Sequence, residues 1–97
     1  MLQAVLQSVL VFGRVSKSRP IGYTNTEKYT QLGLNIAYYR KLRGMTQEQL
    51  AEKVGVSRSH LSAIEAPNVV KAFSIELLFE IADALQVDSY KLLMFKE

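Results

Sequence analysis

The sequence predicts an all-α domain, and three observations carry that expectation. An apolar residue, a capping-type residue and a second apolar residue recur in the spacing of a hydrophobic staple: Met45-Thr46-Leu50, Val56-Ser57-Leu61, Phe73-Ser74-Leu78 and Val87-Asp88-Leu92. Behind each of these starts the apolar residues return at three- and four-residue intervals instead of alternating. Gly44 and Gly55 fall where two of the helices have to end, and glycine takes the left-handed conformation that closes a helix. Caps, stripes and stops that agree with one another are stronger evidence than any of them alone.

The segment 1–12, MLQAVLQSVLVF, is apolar. Leu2, Val5, Leu6, Val9 and Leu10 have helical spacing, while Val9 to Phe12 also suits a strand. Three readings stand side by side: a dimerisation element, a segment packed on its own domain, or weakly ordered sequence. A signal peptide is not expected, because the start lacks a basic region and a small-x-small cleavage site. Residues 13–29, GRVSKSRPIGYTNTEKY, read as a linker, since glycine, proline and small polar residues break the periodicity. Arg14, Lys17 and Arg19 form a basic group there, either a solvated linker or an arm along DNA phosphates. The division is therefore an N-terminal extension and linker over 1–29 and a helical domain over 30–97.

The first helix is expected from about Thr30 to Arg43, with Leu32, Ile36 and Tyr39 inward. Arg40, Lys41 and Arg43 crowd its last turn, where cations suit the helix dipole. Thr46 caps the second helix and forms a capping box with Gln49; Leu50, Ala51 and Val54 share its inner face. Gly55 ends it. Ser57 caps the third helix, residues 57–65, whose Leu61, Ile64 and Glu65 follow at helical spacing. Two helices this short have to pack across each other. That leaves Arg58, Ser59, Ser62 and Ala63, small or donor-bearing, on the outer face. A fourth helix is expected from Ser74 to about Leu85, with Ile75, Leu78, Ile81, Ala82 and Leu85 buried and Leu77 and Phe79 flanking them. A fifth begins at Asp88 and carries Leu92, Leu93 and Phe95. Tyr90, Met94 and Phe95 either close the core or form a subunit interface.

Composition narrows the function. Forty-eight per cent of the residues are apolar, so the chain is not disordered by composition. With no cysteine and one histidine, neither a disulfide framework nor a thiolate zinc site is possible. A reducing cytoplasm fits this composition, and no apolar run is long enough to cross a membrane. No nucleophile–base set, metal cluster or phosphate-cradling glycine loop appears, so neither an enzyme nor a cofactor is expected. The net charge of +3 is unevenly spread: residues 1–58 carry nine basic and three acidic side chains, and residues 59–97 three and six. A basic front and an acidic back orient a domain on a polyanion. Residues 30–97 alone are neutral, with eight of each sign, so their non-specific DNA affinity should be weak.

The run LGLNIAYYRKLRGMTQEQLAEKVGVSRSHLSAIE, followed by SIELLFEIADALQV, resembles the helix-turn-helix of the Cro/C1-type (XRE-like, phage-repressor-like) DNA-binding family. The resemblance runs from about Leu32 to Leu93. It implies a five-helix, lambda-repressor-like domain with an N-terminal extension. It implies a transcriptional regulator that puts helix 57–65 in the major groove of double-stranded DNA, as a homodimer on a near-palindromic operator. An antitoxin-like or other protein-interaction module on the same fold is the alternative. The family's pattern puts base reading on Arg58, Ser59 and Ala63, with Ser62 nearby. It puts a phosphate contact on Gln47. Ser57, at the cap, and His60, a surface residue of the first turn, are read as further phosphate candidates, and Arg43 joins the DNA-facing candidates. An arginine at position 40 and a glutamate at 65 match a pair that orients helices one and three in several relatives. The sequence departs from the family after Glu65. APNVVKAF replaces the usual Asn-Gly turn and basic residues, leaving Asn68 and Lys71 as phosphate candidates and Val69, Val70 and Phe73 for the core or a neighbour.

Overall fold

The computed structural model describes residues 24–95. Five helices order them: α1 (Asn25–Leu42), α2 (Gln47–Val54), α3 (Arg58–Glu65), α4 (Ile75–Leu85) and α5 (Ser89–Leu92). No strand occurs among the described residues, and no helix among them is long and apolar enough to cross a membrane. The apolar segment 1–12 and the basic group Arg14, Lys17 and Arg19 lie outside the described residues.

α1 starts five residues earlier than the sequence predicts. Thr24 is its cap: its Oγ1 accepts from Glu27 N at 3.2 Å, and Glu27 Oε1 accepts from Thr24 N at 3.0 Å. This capping box sits inside a stretch whose glycine and proline suggested a linker, and a reciprocal cap outweighs that composition. The added turns carry Tyr29 onto the core, edge-on to Phe73 with ring centroids 6.2 Å apart.

The four staples close as the spacing requires. Leu50, Leu61, Leu78 and Leu92 are buried, and Met45, Val56, Phe73 and Val87 are half-buried against the same core. Leu32, Ile36, Ile64, Leu77, Ile81 and Leu85 complete it. Burial of such side chains contributes on the order of 2 kcal/mol each, which is what holds eight-residue helices such as α2 and α3 in place.

α4 faces the core differently from the expectation. Leu77 is buried, while Ile75 and Phe79 are exposed, because no element among the described residues covers their side of the helix. α5 is a single turn, and the Asp88 side chain makes no capping bond. Leu93, Tyr90 and Met94 are exposed. Asn35 Nδ2 instead ties this end to α1, donating to the carbonyls of Leu92 at 2.9 Å and Met94 at 3.0 Å.

After α3 the chain leaves through Ala66 in extended conformation, φ −72° and ψ 126°. The residue before a proline avoids the helical region. Ala66 O then accepts from Val69 N at 3.3 Å, a turn with Pro67 and Asn68 at its centre. Val69 and Val70 are exposed and Phe73 packs inward.

Candidate nucleic-acid interface

α3 is fixed on one side and open on the other. Ser57 Oγ accepts from His60 N at 3.0 Å, which sets the first turn. Leu61, Ile64 and Glu65 are buried; Arg58 and Ser59 are exposed, and Ser62 and Ala63 are half-exposed. The amides of Arg58 and Ser59 have no intrahelical acceptor, as at any helix start, and give this end a partial positive charge. The outward face is therefore short in bulk, rich in donors and electropositive at its leading end.

The turn before α3 is short because Gly55 adopts φ 79° and ψ 31°, with its N–H on Ala51 O. Ser57 follows two residues later. At the start of α2, Thr46 and Gln49 close their capping box at 2.8 and 3.0 Å.

The far end of α3 is held by a polar junction. Arg40 Nε donates to Glu65 Oε2 at 2.8 Å and Arg40 Nη2 to Glu65 Oε1 at 2.9 Å, a two-pronged pair. Arg40 Nη1 donates to Met45 O at 2.7 Å, and Gln47 Nε2 donates to Glu65 Oε1 at 2.9 Å. Arg40 and Glu65 retain 8% and 6% of their exposure. One arginine thus joins α1, the α1–α2 turn and the end of α3, and Glu65 in turn fixes the side chain at the start of α2. Paired charges of this kind set geometry more than they add stability.

Two of the expected DNA-side residues have surroundings within the domain that the sequence did not show. Arg43 is exposed but engaged: its Nε donates to Leu85 O at 2.6 Å and its Nη2 to Gln86 O at 3.2 Å. Its guanidinium occupies the last carbonyls of α4, where Gln86 takes the left-handed conformation. His60 is half-exposed, and its Nε2 is buried without a hydrogen-bond partner among the described residues. A buried polar atom without a partner costs about 1–3 kcal/mol. His60→Leu is therefore expected to raise the thermal midpoint by about 4–8 °C for each kcal/mol recovered, read by circular dichroism; an unchanged or lower midpoint rules out the orphaned nitrogen.

Asn68 and Lys71 stand exposed on the loop after α3, and no hydrogen bond or ion pair among the described residues engages either. Among the described residues no three His, Cys, Asp or Glu side chains gather as metal ligands.

One residue of the framework escaped the sequence reading. Gly33 is buried on α1, and a Cβ built there would overlap the carbonyl oxygen of Ile64 on α3. A glycine inside a strong helical pattern is the signal for such a close approach.

The helix-turn-helix family model matches residues 36–92. The transcriptional regulator SinR of Bacillus licheniformis is 39% identical over 66 residues, 68% of this chain and 59% of that protein. The chain thus spans less than two thirds of the SinR regulators it matches. A crystal structure of SinR, the master regulator for biofilm formation, in complex with DNA is similar at a TM-score of 0.60 and 40% identity, covering 65% of this chain and 98% of that one. A hypothetical transcription factor, NHTF from Neisseria, is similar at a TM-score of 0.65 and 26% identity, covering 80% of this chain and 88% of that one. A domain in which Gly55 and Ser57 set α3 across α2, matched over more than half its length, belongs to the helix-turn-helix family of the Cro/C1 (XRE-like) type.

Proposed function

We propose that the chain is a sequence-specific DNA-binding transcriptional regulator that acts in the cytoplasm and works as a homodimer on a near-palindromic operator. The observation that carries this reading is the outward face of α3: Arg58, Ser59, Ser62 and Ala63 stand away from the core while the helix behind them is locked through Glu65. Arg58 is the principal reader, since a guanidinium bonds guanine O6 and N7 together. Ser59 and Ser62 contribute hydroxyl contacts, and Ala63 a methyl contact to thymine. Ser57, Gln47, Asn68 and Lys71 are the phosphate-side candidates. Gln47 keeps one amide hydrogen for that contact, the other being given to Glu65. A two-fold dimer sets its recognition helices about 34 Å apart. The DNA complex of SinR supports this reading of the shared fold.

Selection from a randomised duplex library at two salt concentrations, with the natural chain and Arg58→Ala, tests it. The natural chain is expected to enrich one near-palindromic motif and to bind more weakly as salt rises. Arg58→Ala is expected to lose about 1–3 kcal/mol, about tenfold to hundredfold in affinity, together with the preference at one base pair in each half-site. An unselected library with weak, salt-sensitive binding overturns the proposal. It would point instead to a protein partner, for which exposed Val69 and Val70 beside the end of α3 are the first surface to examine.

A further inference from the structure

Where α1 begins, an apolar groove of about 400 Å³ opens between α1, the start of α4 and the C-terminal end. Tyr29, Leu32, Phe73, Ile75, Leu78 and Leu93 line it, and Asn25, Lys28 and Ser74 form a polar rim. Ile75 is 59% exposed and Leu93 46% exposed, although both face an otherwise apolar hollow. No residue of α2 or α3 contributes to its walls, so an occupant here leaves the face carrying Arg58 free.

We propose that the chain's own residues 2–12 dock in this groove. Leu2, Val5, Leu6, Val9 and Leu10 form one apolar stripe at helical spacing, with Gln3, Gln7 and Ser8 off it. A helix of that length does not stand alone in water and needs a surface to form on. The chain enters α1 at the groove's own rim, through Thr24 to Asn25. Residues 13–23 reach up to about 36 Å when extended, long enough for the segment to turn back. Tethering beside the groove keeps the segment at an effective concentration on the order of millimolar, so weak apolar contacts suffice to fill it. The polar rim lets the glutamines and the serine of the segment remain in water.

The absence of cysteine makes the test direct. Ser8→Cys, off the apolar stripe, gives the full chain a single attachment point for a nitroxide, whose effect on the amide signals of the isotope-labelled protein is read by NMR. The signals of Tyr29, Ile75 and Leu93 are expected to lose most of their intensity, while those of Arg58 and Ser62 keep theirs. Adding Ile75→Glu and Leu93→Glu to the same labelled chain, both at exposed positions, is expected to restore the Tyr29 signal. Mixing isotope-labelled chains lacking nitroxide with unlabelled chains carrying it is expected to produce no loss. Loss in that mixture, a uniform loss, or no loss in any sample overturns the proposal; the first of these gives the segment to a second copy of the chain.

Discussion

Glu65→Leu is expected to cost about 3–5 kcal/mol, because it leaves the Arg40 guanidinium buried without its partner. Two of the three hydrogen bonds of Arg40 end on Glu65, and Gln47 loses its acceptor as well. Domains of this size have total stabilities toward the lower end of about 5–15 kcal/mol. The single variant should therefore unfold at low urea, with a substantial unfolded fraction already present in buffer. Arg40→Met with Glu65→Leu removes both charges and is expected to recover most of the loss, since a buried pair replaced by apolar side chains is often neutral in stability. The double variant separates folding from function. It folds on the shared core, but the hydrogen bonds that tie Gln47 and Arg40 to the end of α3 are gone, and its discrimination among duplex sequences is expected to fall. A single variant with the urea midpoint of the natural chain, or a double variant no better than the single one, would show that the pair does not join these helices.

The parts of this structure legible in the sequence are those fixed by neighbours within a helical turn. Thr46 with Gln49, Ser57, Ser74 and the four staples specify helix starts within a few residues. The stripe of Leu61, Ile64 and Glu65 specifies which face of α3 is buried, and hence that Arg58, Ser59 and Ser62 lie outside. What the sequence concealed depends on partners far along the chain. Arg43 looks like a free cation until Leu85 and Gln86 are brought to it across 42 and 43 residues. Ile75 and Phe79 fit the apolar pattern of α4, yet burial depends on what lies opposite, and nothing described covers them. His60 has a polar helix position and a buried Nε2, a rotamer that periodicity does not report. Thr24 with Glu27 is the exception, a local signal overlooked because glycine and proline upstream dominated the reading of its surroundings.

Gly33→Ala is expected to destabilise the domain by about 2 kcal/mol or more, against the usual direction for a helix interior. Alanine is favoured over glycine there by about 1 kcal/mol, and α1 continues on both sides of this position. Packing opposes propensity. The new Cβ would overlap the Ile64 carbonyl oxygen and lie 3.2 Å from its carbon and 3.3 Å from Glu65 Cα. All three are backbone atoms, so no side-chain rotation relieves the contact, and α1 and α3 have to separate. Overpacking of this kind costs about 1–3 kcal/mol, sometimes more, and here separation also stretches the Arg40–Glu65 bonds at the same helix crossing. The expected fall in thermal midpoint is about 10 °C, taking about 4–8 °C per kcal/mol. Gly55→Ala provides the contrast: its φ of +79° is strained for alanine, but no atom lies within 4 Å of the added carbon. It is expected to cost about 1–2 kcal/mol through the backbone alone and to leave the α1–α3 distance intact. If α3 is carried to the DNA at a height set by Gly33, the alanine variant at 33 should also lose base discrimination at temperatures where it is fully folded, whereas the variant at 55 should lose less. A thermal midpoint for Gly33→Ala at or above that of the natural chain would mean that α1 and α3 do not meet backbone to backbone.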